Sequence, residues 1–168
     1  MQSVDMETAF AEPVWFGVYL ATYIAHFAEE FWCGGGYSAY LLRLRGIHLA
    51  RKRFVVLQSI GFVLLAISAG ISIIMHFEPF ALVSFAGLVT TNGVTHGMTA
   101  LWDRKYGPGL IMSVVVWIPL GVLTMVMQYP RMTVERFIAA VLIGVGVQAT
   151  IAIGTMMGDR PDRTPPED

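Results

Sequence analysis

The sequence predicts an all-α membrane protein, a polytopic bundle of about five transmembrane helices with its N-terminus outside and its C-terminus cytoplasmic. Three observations carry that expectation. Hydrophobic residues make up 55% of the 168-residue chain and charged residues only 14%, with a mean hydropathy of +0.62. That is too apolar for an ordinary soluble domain. The apolar residues gather into five runs, at about 13–33, 54–77, 80–102, 108–129 and 135–157, each near the ~20 residues that cross a bilayer as a helix. Nine of the eleven Lys and Arg fall on one side of such a layout, which marks that side as cytoplasmic.

The first run follows an acidic N-terminus without the positive start of a signal peptide, so it is expected to be retained. Pro13 and Pro108 suit the first turns of their helices, Pro79 a tight turn, and Pro130 a helix end. The segment 37–53 is long for a connector. It is either an interfacial helix or an extension of the first span through Gly34-Gly35-Gly36. In the last run Gly146, Thr150, Gly154 and Gly158 recur every four residues, a small-residue stripe that suits close helix packing. Residues 1–158 therefore read as one transmembrane helical domain, and the polar, proline-rich 159–168 as a disordered cytoplasmic tail. The single cysteine, Cys33, excludes an intrachain disulfide and a cysteine-based metal cluster.

Ionisable residues inside a membrane helix are costly and need a partner. The first helix nevertheless places Tyr19, Thr22, Tyr23, His26, Glu29, Glu30 and Cys33 on one face, at about 100° per residue. Such a stripe must face protein or a water-filled cavity. In the third run Asn92 and His96 stack four residues apart, at about the depth of His26. His48 and His76 lie outside this level.

Two imidazoles and a carboxylate are a common catalytic zinc set with one position left open. His26, Glu30 and His96 are the expected ligands of a divalent metal, zinc first. Glu29 is then expected to be free as a general base, and Asn92 to orient a ligand or stabilise an oxyanion. A cation also offsets the repulsion of the paired glutamates.

His26-Phe27-Ala28-Glu29-Glu30 resembles the H-x-x-E-E motif for which the HXXEE family of membrane proteins is named. Asn92-Gly93-Val94-Thr95-His96 resembles that family's N-x-x-x-H motif, and Tyr106-Gly107-Pro108-Gly109 its Y-x-P-G motif. The resemblance implies a small integral membrane protein with presumed enzymatic activity and no assigned reaction. It adds Tyr106 as a candidate for proton donation or substrate contact at the cytoplasmic interface.

The expected function is metal-assisted hydrolysis of a lipid or other apolar substrate by an enzyme of the cytoplasmic membrane, because activating water needs the fewest extra parts. The alternatives are a metal-free acid/base isomerase or cyclase of an isoprenoid-like substrate, and a small ion or proton transporter. The expected partners are the bilayer and the apolar substrate, with no nucleic acid; a homo-oligomer is left open.

Overall fold

The computed structural model describes residues 6–76 and 78–158; the expected disordered tail lies outside them. Six α-helices follow in order: α1 (Met6–Trp32), α2 (Tyr37–Arg45), α3 (Arg51–Met75), α4 (Glu78–Asp103), α5 (Ile118–Gln128) and α6 (Val134–Met156). A π-helical segment, Met112–Trp117, leads directly into α5. Among the described residues there is no strand. Every expected apolar run is helical, with ends within a few residues, apart from α1, which begins earlier. Pro13 accordingly lies inside α1 instead of in its first turn.

Among the described residues three helical stretches are long and apolar enough to cross a membrane: Arg51–Met75, Met112–Arg131 and Val134–Met156. This is the make-up of a membrane protein. Their outward faces agree. Ile60, Leu64, Ile67, Ile71 and Ile74 on α3 are each at least half exposed, as are Leu142, Ile143 and Ile153 on α6. Water would not tolerate so continuous an apolar surface, whereas lipid would. The two other long helices, α1 and α4, carry the His, Glu and Asn side chains of the site, which lower their hydropathy.

α4 is the centre of the bundle and packs against α1, α3, α5 and α6. Its Leu82, Val83 and Ala86 are wholly buried. Small residues set the closeness of its contacts. A Cβ on Gly87 would lie 2.9 Å from the Val141 carbonyl oxygen, and one on Gly144 would fall onto Ser84 O. The α6 seam is therefore Ala140, Gly144, Gln148 and Thr155, all buried. This corrects the expected Gly146–Thr150–Gly154–Gly158 stripe, which lies to one side of that seam. A Cβ added to Gly146 or Gly154 would meet nothing within 4 Å. Only the stripe's end meets the chain, where Arg53 donates to Gly154 O and Gly158 O.

The chain after α1 breaks instead of running on. Gly34, Gly35 and Gly36 all have positive φ, at 62°, 85° and 87°, which an L side chain rarely adopts. α2 is a separate helix, closed by Gly46 at φ 64° with a bond from Gly46 N to Leu42 O, an αL cap. It is pinned to the end of α4 by Tyr40, which donates to Asp103 Oδ2 at 2.9 Å, and by Arg45, which bonds both Asp103 oxygens. α2 thereby lies across the end of the bundle that holds the polar residues.

Candidate metal centre

His26 and Glu30 stand one turn apart on α1, and His96 faces them from α4. His26 Nε2 lies 3.5 Å and His96 Nε2 3.4 Å from the same atom, Glu30 Oε1. One ligand atom from each residue lies within 4.8 Å of the others. Bonds of ~2.0–2.2 Å would place tetrahedral ligands about 3.4 Å apart, so the set would need only small side-chain rotations to hold an ion. His26 is 2% and Glu30 3% exposed, which shields the group from bulk water.

Hydrogen bonds outside the group fix its orientation. Ser113 Oγ donates to Asn92 Oδ1 at 3.0 Å and lies 3.4 Å from His26 Nδ1. With that hydroxyl hydrogen committed to Asn92, the oxygen accepts from His26 Nδ1–H, which leaves Nε2 bare and turned to the group. Gln58 donates to Glu30 Oε2 at 2.6 Å, and Tyr23 donates to Gln58 Oε1 at 2.8 Å. Trp117 covers the His26 ring with centroids 4.0 Å apart, and Tyr37 lies 6.0 Å from His96.

The Tyr106-Gly107-Pro108-Gly109 turn closes one side of the group with backbone. Gly109 has φ 88°, and a Cβ there would lie 2.8 Å from both Glu30 Cγ and His26 Cε1 and 3.0 Å from His96 Cε1. Only glycine meets both demands. Gly93 does the same one turn before His96, where a Cβ would lie 2.7 Å from Ser113 O. That closeness lets the π-helical segment set Ser113 between Asn92 and His26. A π-helical insertion turns side chains off the regular α spacing, a device frequent at functional sites.

Glu29 points away from the group. Its Oε1 accepts from Tyr106 Oη at 2.7 Å and from Ile111 N at 2.9 Å, and its Oε2 accepts from Met112 N at 2.8 Å. Those amides open the helix that continues into α5, and a helix start leaves such donors without intrahelical partners. The carboxylate expected to be a free base is thus committed to three donors. Tyr106, expected at the substrate, spends its hydroxyl hydrogen on Glu29. Cys33 sits beyond the end of α1 and is exposed.

Two cavities meet at Glu30. One, of about 70 Å³, is lined by Glu30, His96, Asn92, Thr95, Gln58 and Gln148 among others. The other, of about 320 Å³, opens between the end of α1, the glycine turn, α2 and α3, past Trp32 and Arg51. His48 lies in the α2–α3 connector and His76 at the end of α3, so neither reaches the group.

All three motifs thus converge on one place. The family described as "Protein of unknown function with HXXEE motif" matches residues 17–124, more than half of the chain. The chain belongs to the HXXEE family. Comparison with curated proteins and with solved structures gives no match. The part matched to the HXXEE family ends within α5, so α6 and its Gln148 lie beyond it.

Sequence reasoning passed over Ser113, Trp117, Gln58 and Gln148 as members of this HXXEE site, and named Gly109 only as part of the Y-x-P-G motif. The two glutamines carried a usable signal, since a carboxamide inside an apolar span is costly unless it is employed. Ser113 and Trp117 carried none, because their direction depends on the π-helical segment.

Proposed function

We propose that this protein is an integral enzyme of the cytoplasmic membrane, with metal-assisted hydrolysis of a lipid-like substrate as its reaction. The observation that carries the reading is the convergence of His26 Nε2, His96 Nε2 and a Glu30 carboxylate oxygen within 4.8 Å beside a polar cavity. These three residues would hold a divalent cation, zinc first, beside the cavity that Glu30 and His96 line. Such an ion supplies Lewis acidity and activates water. Asn92, oriented by Ser113, faces the substrate. Glu29 and Tyr106 act as positioning residues that hold the turn carrying Gly109 against the ligands.

In this reading α1 and α4 cross the membrane with α3, α5 and α6, giving five spans with the N-terminus outside. The basic α2 and the α2–α3 connector then lie at the cytoplasmic face, and substrate enters from the bilayer through the larger opening beside α2. The test is release of fatty acid from long-chain esters by the purified protein in nanodiscs. Activity that zinc restores after chelation supports the reading. Activity indifferent to chelation, or none on any ester with the metal bound, contradicts it.

One observation favours a second reading. Both imidazoles address the same oxygen, Glu30 Oε1, which also suits a shared proton. A metal-free acid/base isomerase would use that arrangement directly. Bound metal separates the two.

A further inference from the structure

The smaller cavity contains a side chain that the metal reading does not use. Gln148 comes from α6 and is 5% exposed, yet among the described residues its carboxamide has no hydrogen-bond partner. Its polar atoms are not sealed within the packing, and its place on the cavity wall turns the carboxamide to that space. Asn92 lines the same wall. Its Oδ1 accepts from Ser113, which leaves its NH2 group to the cavity. Two of the three threonines on this wall spend their hydroxyl hydrogens within their own helices, Thr95 on Thr91 O and Thr155 on Ile151 O.

Beyond the ligands of the ion, this wall offers no further cation for a phosphate: the one Lys or Arg among the described residues that line the cavity, Arg45, already bonds both oxygens of Asp103. Ile151, Ala152 and Met156 give the wall an apolar side. The volume of about 70 Å³ holds a small polar group and not an acyl chain.

We propose that Gln148 and Asn92 form a subsite for the neutral carbonyl of a fatty acyl ester or amide, which their NH2 groups bind beside His96 and Glu30. This deepens the hydrolase reading and rests on it, in naming the substrate class as an uncharged acyl derivative and not a phosphate. The selectivity comes in part from α6, beyond the segment that the family shares.

The test uses full-length protein in nanodiscs and a decanamide carrying a diazirine on the carbon next to its carbonyl. Covalent labelling is mapped by mass spectrometry, and bound metal is measured on the same samples. Labelling should fall on the α6 residues around Ile151 and Met156, and N-methyl decanamide should compete while dodecane and decyl phosphate should not. Gln148→Leu should weaken labelling roughly fivefold, as expected for one neutral hydrogen bond of about 1 kcal/mol, and should keep its metal. Because it replaces an unpartnered buried amide with an apolar side chain, that variant is expected to fold. Gln148→Glu keeps the shape without the NH2 donors and should weaken labelling as well. Equal labelling in Gln148→Leu, or equal competition by decyl phosphate, overturns the subsite. Wild type without bound metal, with labelling still dependent on Gln148, would retire the hydrolase and keep the subsite, so the two failures are distinguishable.

Discussion

Tyr106 Oη donates to Glu29 Oε1 at 2.7 Å, joining residues 77 apart in the chain. The same carboxylate takes the amide hydrogens of Ile111 and Met112. Glu29 therefore fastens the end of α1 to the start of the helix that carries Ser113 and Trp117.

Removing that fastening should show first in stability. Glu29→Ala leaves two helix-start amides and a phenol without their acceptor, at about 1–3 kcal/mol for each buried group left unpaired. The thermal midpoint in detergent should drop by several degrees, with Glu29→Gln intermediate, since an amide keeps one acceptor oxygen. An unchanged midpoint in both variants, together with lost turnover, would instead restore Glu29 as a free base.

Tyr106 should make a pH-dependent contribution to stability whose sign its surroundings set. Burial, and then the hydrogen bond and charge of Glu29, hold its phenol well above the ordinary value of 10.0. A raised pKa favours the protonated form in the fold. The contribution is complete below pH ~10 and is lost as pH rises through the folded value. Tyr106→Phe should therefore be less stable than wild type at neutral pH, and the gap should narrow above pH ~10. The check is thermal unfolding of the two proteins from about pH 7 to about pH 12, a range that spans the ordinary tyrosine pKa. A gap that stays constant would show that the phenol's pKa is not raised in the fold.

Gly109→Ala should be among the most damaging single methyl additions in the protein. The added Cβ would lie 2.8 Å from His26 Cε1 and Glu30 Cγ, on a backbone at φ 88°. Left-handed backbone costs an alanine roughly 1–2 kcal/mol, and overpacking costs roughly 1–3 kcal/mol more. Gly97→Ala is the comparison, because its Cβ would meet only Val114 Cγ2 at 3.5 Å, an ordinary contact. Thermal unfolding and bound metal should both suffer in the first variant and stay near wild type in the second.

The helical runs were legible because lipid-facing residues such as Ile60, Ile67 and Ile74 repeat over lengths that match a bilayer. His26, Glu30 and His96 were legible for the opposite reason, as polar groups where lipid gives them no partner. Their convergence followed from similar depth on two helices. Directions that depend on irregular backbone were not legible. Glu29 and Glu30 are adjacent and chemically alike, and what separates them is the 107–111 turn, whose path no periodicity reports. The packing stripe on α6 was misplaced because small residues occur on two faces of the helix, and only contact with Ser84 and Gly87 decides between Gly144 and Gly146.

The five-span layout predicts that a reporter fused after Asp168 is active in its cytoplasmic form alone. The basis is the placement of nine of eleven Lys and Arg on that side. A periplasmic signal would reverse the layout and put the His-Glu group in the outer half.

Whether His26, Glu30 and His96 share one ion is read by elemental analysis of the purified protein. Wild type should carry about one divalent ion per chain, zinc first, as a three-ligand site implies. His96→Ala and Glu30→Gln should each lose most of it while remaining folded by circular dichroism. Wild type without stoichiometric metal after zinc loading, or equal metal in all three proteins, would contradict a shared ion and leave the shared proton on Glu30 as the reading of this site.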